Sequence, residues 1–182
     1  AASPSPGWHP GCMDDRTLLL MRHAEAGYSL STSDADRDLT EEGVADARVA
    51  GAWVAERVGA LDVVVTSGAV RTQRTWAVMA DAGASASHEV DEQAIYSGGV
   101  DALLQVVRAV DADARRVLVI GHAPDIPRLA RHLVGRSVNE AAARQLGAGF
   151  PTSTIVELAV PTPWADVVDD SATLLDAATL RA

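Results

Sequence analysis

With 182 residues, 48% of them hydrophobic and 22% charged, the chain has material for one globular domain with a sizeable core. The formal net charge is −10 and all fifteen basic residues are arginine, which argues against nucleic-acid and membrane partners and excludes Schiff-base and P-loop lysine chemistry. Cys12 is the only cysteine, so the chain can form neither an intrachain disulfide nor a cysteine zinc site.

Residues 1–15 contain Pro4, Pro6, Gly7, Pro10 and Gly11 without periodicity and read as a mobile N-terminal arm, leaving 16–182 as a single domain. Met13 offers an original start just ahead of the first strand, with 1–12 an upstream extension. No stretch reaches transmembrane length and no apolar run precedes Cys12, so a cytoplasmic location is the default.

Leu18–Met21 is a continuous apolar run of strand length that ends on Arg22 and His23. A polar loop, 28–38, follows. Thr40 before Glu41 and Glu42 marks a helix start, and Val44, Ala47, Gly51, Val54 and Val58 recur at helical spacing until Gly59 stops them.

Asp62–Thr66 carries three consecutive valines, a second buried strand. A helical pattern runs on through Thr75, Val78, Met79 and Ala82, with Ser67 or Gly68 at its cap and Arg71 in its first turn. Residues 84–90 hold at most a short strand, and 91–99 read as a loop anchored by Ile95 and Tyr96. Leu103, Leu104, Val107 and Val110 then line one side of a helix.

Arg116–Gly121 is a third apolar strand and stops at His122, Ala123 and Pro124. Asp125 is placed to cap the next helix, whose Ile126, Leu129, Ala130, Leu133 and Val134 form one face and which Gly135 ends. The alanine-rich 138–149 is weakly amphipathic, 153–160 reads as a strand, and 172–177 as a short edge strand. The alternation predicts a three-layer α/β/α sandwich with a mainly parallel central sheet.

In an open α/β sheet the carboxyl ends of the strands face the ligand crevice. Three strands here end in Arg22 with His23, Ser67 near Arg71, and His122. Each is weak alone; together they bring two imidazoles and two guanidinium groups to one crevice suited to a tetrahedral dianion. The matching chemistry is phosphoryl transfer, with arginines neutralising the equatorial oxygens while an in-line nucleophile approaches. His23 is the best available nucleophile. A zinc site from His23 and His122 is the competing reading, and flanking arginines oppose a dication there.

Arg22, His23 and Ala24 after an apolar strand, Arg37 through Thr40, Ser67 through Arg71 and Thr75, and Gly121, His122 and Pro124 resemble, in order, the motifs of the histidine phosphatase superfamily, which is phosphoglycerate mutase-like in fold. The short chain and the Arg-x-Leu-Thr element resemble its SixA-type phosphohistidine phosphatases. The resemblance covers about residues 16–160. It implies that His23 is phosphorylated as the nucleophile, that Arg22, Arg71 and His122 bind the transferring phosphoryl group, and that the Ala123 amide adds a donor. Arg37 matches an arginine at the site's edge, open to a substrate contact or a structural ion pair. No metal or cofactor is implied.

Ala24 stands where many relatives have glycine, Gly68 where proline is usual and Arg74 where glutamine is common. Larger relatives carry a glutamate general acid in the loop corresponding to 91–99, and the aligned place, Ile95–Ser97, has no carboxylate. An alkoxide leaving group would suffer from that loss, whereas an imidazole departs without a strong donor. The expected substrate is therefore a phosphorylated protein histidine. Glu25, Glu92 and Asp101 are nearby carboxylates for which an acid role and plain solvation are both open. The alternatives are a small-molecule phosphomonoesterase using one of these carboxylates, and a non-catalytic phosphate- or phosphopeptide-binding module. His88 and His132 are expected outside the site.

Overall fold

The protein is described by a computed structural model covering residues 16–28, 31 and 33–182. The reading of 1–15 as an arm lies outside the described residues. Among the described residues seven strands and six α-helices follow in the order β1 Arg16–Arg22, α1 Glu41–Arg57, β2 Leu61–Thr66, α2 Val70–Asp81, β3 Ala86–Asp91, α3 Ala94–Ser97, α4 Gly99–Arg108, β4 Arg116–Gly121, α5 Asp125–Leu133, β5 Val134–Ser137, α6 Glu140–Ala148, β6 Thr154–Val160 and β7 Ala172–Thr179, with a 3-10 turn at Trp164–Asp166 before β7. They form one seven-stranded sheet in the order β3-β2-β4-β1-β6-β7-β5.

The sheet is mixed and mostly parallel. β1, β4, β2 and β3 pair in parallel, as do β5 and β7, while β6 runs antiparallel to both β1 and β7. Successive side chains of a strand point to opposite faces, and β1 shows why its apolar run is unbroken. Leu18 and Leu20 pack with Leu103, Val107 and Leu129 from α4 and α5 on one face, and Leu19 and Met21 with Ala50, Val54 and Met79 from α1 and α2 on the other. All four β1 residues are fully buried, as a central parallel strand requires.

Local signals set the helix ends. The Thr40 hydroxyl accepts from the Gly43 amide at 2.9 Å, capping α1, and Gly59, at φ +82°, ends it in the left-handed region. A Cβ on Gly51 would overlap the Met79 carbonyl oxygen, so glycine there lets α1 and α2 approach closely.

The weakly amphipathic 138–149 contains α6, which Asn139 caps by accepting from the Ala141 and Ala142 amides. Several sequence expectations are corrected. Val134 caps α5 and with Gly135 opens β5, an edge strand at the far side of the sheet from β3, while β7 is longer than expected and lies inside the sheet. The loop expected at 91–99 contains α3. Ala69 rather than Ser67 or Gly68 occupies the cap of α2, and Pro124 rather than Asp125 that of α5, both without a side-chain bond. Ser67 is occupied elsewhere, in the site.

Candidate active site

β1, β2 and β4 end side by side because β4 lies between β1 and β2 in parallel register, with Arg22 opposite Gly121 and Thr66 opposite Ile120. The residues that follow, His23, Ser67 and His122, therefore emerge at one edge. The imidazole centroids of His23 and His122 stand 5.2 Å apart.

His23 is buried. Its Nδ1 lies 2.7 Å from the Ala24 carbonyl oxygen, and because a carbonyl can only accept, Nδ1 carries the proton and Nε2 keeps a free lone pair. The Ala24 amide in turn donates to the Thr75 hydroxyl, which donates to the Arg71 carbonyl. The turn after β1 is thus tied to α2. Burial pushes the His23 pKa down to about 3, helped by the charges of His122, Arg71 and Arg22 and opposed by the Ala24 hydrogen bond. At neutral pH it is an uncharged imidazole.

His122 shares that state for a similar reason: burial, then the neighbouring Arg71, brings it down to about 4. Its Nε2 is 2.6 Å from the Ser67 hydroxyl. Thr72 gives its own hydroxyl proton to the Ala69 carbonyl at 2.8 Å, and Ser67 stands 3.1 Å from the Thr72 hydroxyl. The Ser67–His122 hydrogen bond runs in either direction according to the imidazole tautomer, and the ring nitrogen left outside it is Nδ1. That atom is buried without a hydrogen-bond partner among the described residues, as is Arg22 Nε.

Arg22 donates to the Phe150 carbonyl at 3.0 Å, and burial lowers its pKa. Arg71, almost fully buried, donates to the Asp34 carbonyl at 2.6 Å and to its carboxylate at 3.0 Å. Two further residues complete this wall. Tyr96 packs edge-on against His122 at 5.3 Å, lies 5.6 Å from the Arg71 guanidinium carbon, and donates its hydroxyl to Asp34 Oδ2 at 2.6 Å. Hydrogen bonds from Tyr96, then Arg37, and the charge of Arg71 hold the Asp34 carboxyl well below the usual carboxylate range, while the same bond raises Tyr96.

Of the sequence candidates, Arg22, His23, Arg71 and His122 converge. Ala123 is exposed directly after His122. Arg37 sits at the edge, its guanidinium donating to the Gly27 and Ala26 carbonyls and to Asp34 Oδ1. Glu25 and Asp101 are exposed, and half-buried Glu92 accepts from the Ala94 amide. His88 and His132 are exposed away from these residues. No cluster of three or more His, Cys, Asp or Glu side chains suited to a metal occurs among the described residues.

Sequence reasoning missed Asp34, the one carboxylate bonded to Arg71. It also took Tyr96 only as an anchor, and it set Ser67 at the crevice without its bond to His122. Asp34 has one local partner, Arg37, but the two that tie it to the site, Arg71 and Tyr96, lie 37 and 62 positions away. A separate cavity of about 780 Å³, between α4 and the β2–β3 face, is lined by Val63, Val65, Val90 and Val106 and contains none of the site residues.

Residues 18–95 match the histidine phosphatase superfamily (branch 1). The SixA phosphohistidine phosphatase structure from Nakamurella multipartitia is similar at 39% identity and a TM-score of 0.79, covering 92% of this chain and 98% of that one. Rv1276c of Mycobacterium tuberculosis is 33% identical over 156 residues, 85% of this chain and 96% of its own. A phosphoglycerate mutase of Sinorhizobium fredii is 40% identical, but over only 43% of this chain and 39% of the mutase. The chain belongs to the histidine phosphatase superfamily, grouping with its SixA-type members, and is a phosphatase of phosphoglycerate mutase-like fold.

Proposed function

We propose that the protein removes the phosphoryl group from a phosphorylated protein histidine through a covalent phosphohistidine on His23, without a metal. The observation that carries this reading is His23 itself, a buried neutral imidazole whose Nδ1–H is fixed on the Ala24 carbonyl. Its Nε2 lone pair is therefore available at neutral pH without a separate base. Arg22, Arg71 and His122 supply donors for the three phosphoryl oxygens, and such preorganised charge provides most of the catalysis in phosphoryl transfer. An exposed Ala123 amide is a further donor.

The first step forms a bond from His23 Nε2 to phosphorus as the bond to the leaving group breaks, its electron pair departing with that group. Water then attacks the phosphoenzyme, releasing phosphate and regenerating neutral His23. Two arginines beside the imidazoles oppose a divalent metal, in keeping with a direct route. The 39% identical SixA structure supports histidine as the phosphorylated residue.

Rapid-quench trapping with a radiolabelled phosphohistidine protein and, in parallel, an aryl phosphate tests the reading. An acid-labile label that is absent in His23→Ala, withstands metal chelation and turns over faster from phosphohistidine is the expected result. Label and turnover mainly from the ester would move the function to small-molecule phosphatase. Phosphate binding with no label from either donor would leave a binding module.

A further inference from the structure

We infer that Asp34 determines leaving-group specificity, accepting a hydrogen bond from the ring N–H that a phosphorylated imidazole carries on its unphosphorylated nitrogen when protonated. This deepens the phosphohistidine reading and rests on it.

The carboxylate is held from three sides and still has capacity. Its Oδ2 receives Arg71 and Tyr96, and its Oδ1 receives Arg37. An ionised carboxylate offers about four acceptor positions, so one on Oδ1 has no partner among the described residues, and the side chain is 57% exposed. The backbone is fixed as well: the Ala35 carbonyl accepts from the Val70 amide at 2.9 Å and the Asp34 carbonyl from Arg71. Asp34 therefore presents a fixed anion beside an arginine that faces both imidazoles. Arg71 has five N–H donors, uses two on Asp34 and meets the Tyr96 hydroxyl, and keeps donors for a phosphoryl group.

A carboxylate so strongly stabilised as an anion cannot serve as a proton donor, and its charge disfavours an anionic alkoxide or phenolate leaving beside it. It suits a positively charged ring. An N-phosphorylated imidazole protonated on its other nitrogen carries that charge on the ring, apart from the anionic phosphoryl group, and needs no donor at the breaking bond: the P–N electron pair stays on the departing nitrogen and the ring leaves as neutral imidazole with its proton on the far side. His23 shows the same device on the enzyme's side, where Nδ1–H rests on a carbonyl while Nε2 is the reacting nitrogen. The two imidazoles that exchange the phosphoryl group would each have the distal N–H held by an oxygen acceptor.

The charged and titratable groups facing Asp34 are Arg71 from α2, Arg37 from its own loop and Tyr96 from α3, with His122 behind Tyr96. The anion keeps the substrate ring protonated above its ordinary value near pH ~6.5, so its advantage grows with pH.

The experiment measures kcat/KM for phosphoimidazole and phenyl phosphate at pH 6 and pH 8 in the wild type, Asp34→Asn and Tyr96→Phe, each checked for folding by thermal melting. In Asp34→Asn the preference for phosphoimidazole over the ester falls about tenfold at pH 8, the scale of replacing a charge-assisted hydrogen bond by a neutral one, and less at pH 6. Tyr96→Phe, which loosens the carboxylate without removing it, shows the same trend more weakly and keeps the test open should Asp34→Asn not fold. An unchanged preference at both pH values, or a gain on both substrates from a liberated Arg71, overturns the inference. Absence of any phosphoimidazole preference in the wild type overturns the phosphohistidine reading instead, and is distinguishable because it does not depend on the variants.

Discussion

The floor and the rim of the site are built by different means. Arg22, His23, Ser67 and His122 stand at or just past the ends of strands buried on both faces, and their positions follow from the register of β1, β4 and β2. Asp34, Arg37 and Tyr96 belong to a loop and the four-residue helix α3, and hold their places by bonding one another and Arg71. The floor is rigid because a packed sheet cannot adjust one strand end without the rest. A rim made of mutual polar contacts can change its residues without disturbing that floor, so the phosphoryl chemistry and the choice of leaving group are separable.

Removing the proposed nucleophile tests the floor most severely. His23→Ala is expected to lower kcat by roughly 10⁴-fold or more and to abolish the trapped phosphoenzyme. Arg71→Ala, which removes a phosphoryl donor and the anchor of the rim together, is expected to cost about 10²–10³-fold in kcat/KM on both substrate types, read by steady-state kinetics with a melting curve as control. Ser67→Ala removes the hydrogen-bond partner of His122 Nε2. A loss of about tenfold in kcat with KM nearly unchanged is expected, and an equal loss in KM would mean that the serine acts on binding instead. Arg37→Ala leaves the floor intact and should reduce the phosphoimidazole preference only about threefold, through a loosened Asp34.

A smaller effect concerns stability. The folded pKa values of His23 and His122, about 3 and about 4, lie below the ordinary 6.5. Between those limits the unfolded chain binds protons that the folded chain refuses, so this contribution is complete above about pH 6.5 and is lost as pH falls toward the folded values. The melting temperature should therefore drop less between pH 7 and pH 4.5 in His122→Ala than in the wild type, by about 2–4 °C. An identical drop would show that the ring is not held neutral by the fold.

The floor was legible in the sequence and the rim was not, for one physical reason. Apolar runs such as Leu18–Met21 and Val117–Ile120 announce buried strands, and the polar residues that end them are placed by the fold class alone. Asp34 joins the site through Arg71 and Tyr96, both far along the chain, so no periodicity or spacing marks it. Arg37 carried a local motif, but a motif does not show that its guanidinium bonds the Gly27 and Ala26 carbonyls and Asp34. The edge β5 was obscured because Val134 continues the apolar stripe of α5, and a stripe cannot reveal where the backbone leaves the helix. Gly135 has no left-handed backbone angle among those described; a Cβ there would overlap the Asp170 carbonyl oxygen, so it serves close approach rather than termination.

The placement of β1 also has consequences for the order of assembly. Its two neighbours, β4 and β6, come from residues 116–121 and 154–160, and the His23 carbonyl accepts from the Ser153 amide. β1, the earliest of the seven strands in sequence, is thus housed only after β4 and β6 have been made, a long-range closure that slows folding. Until then its apolar stretch waits unpaired, exposed to chaperones or to other nascent chains. The site at its end is completed by the same closure.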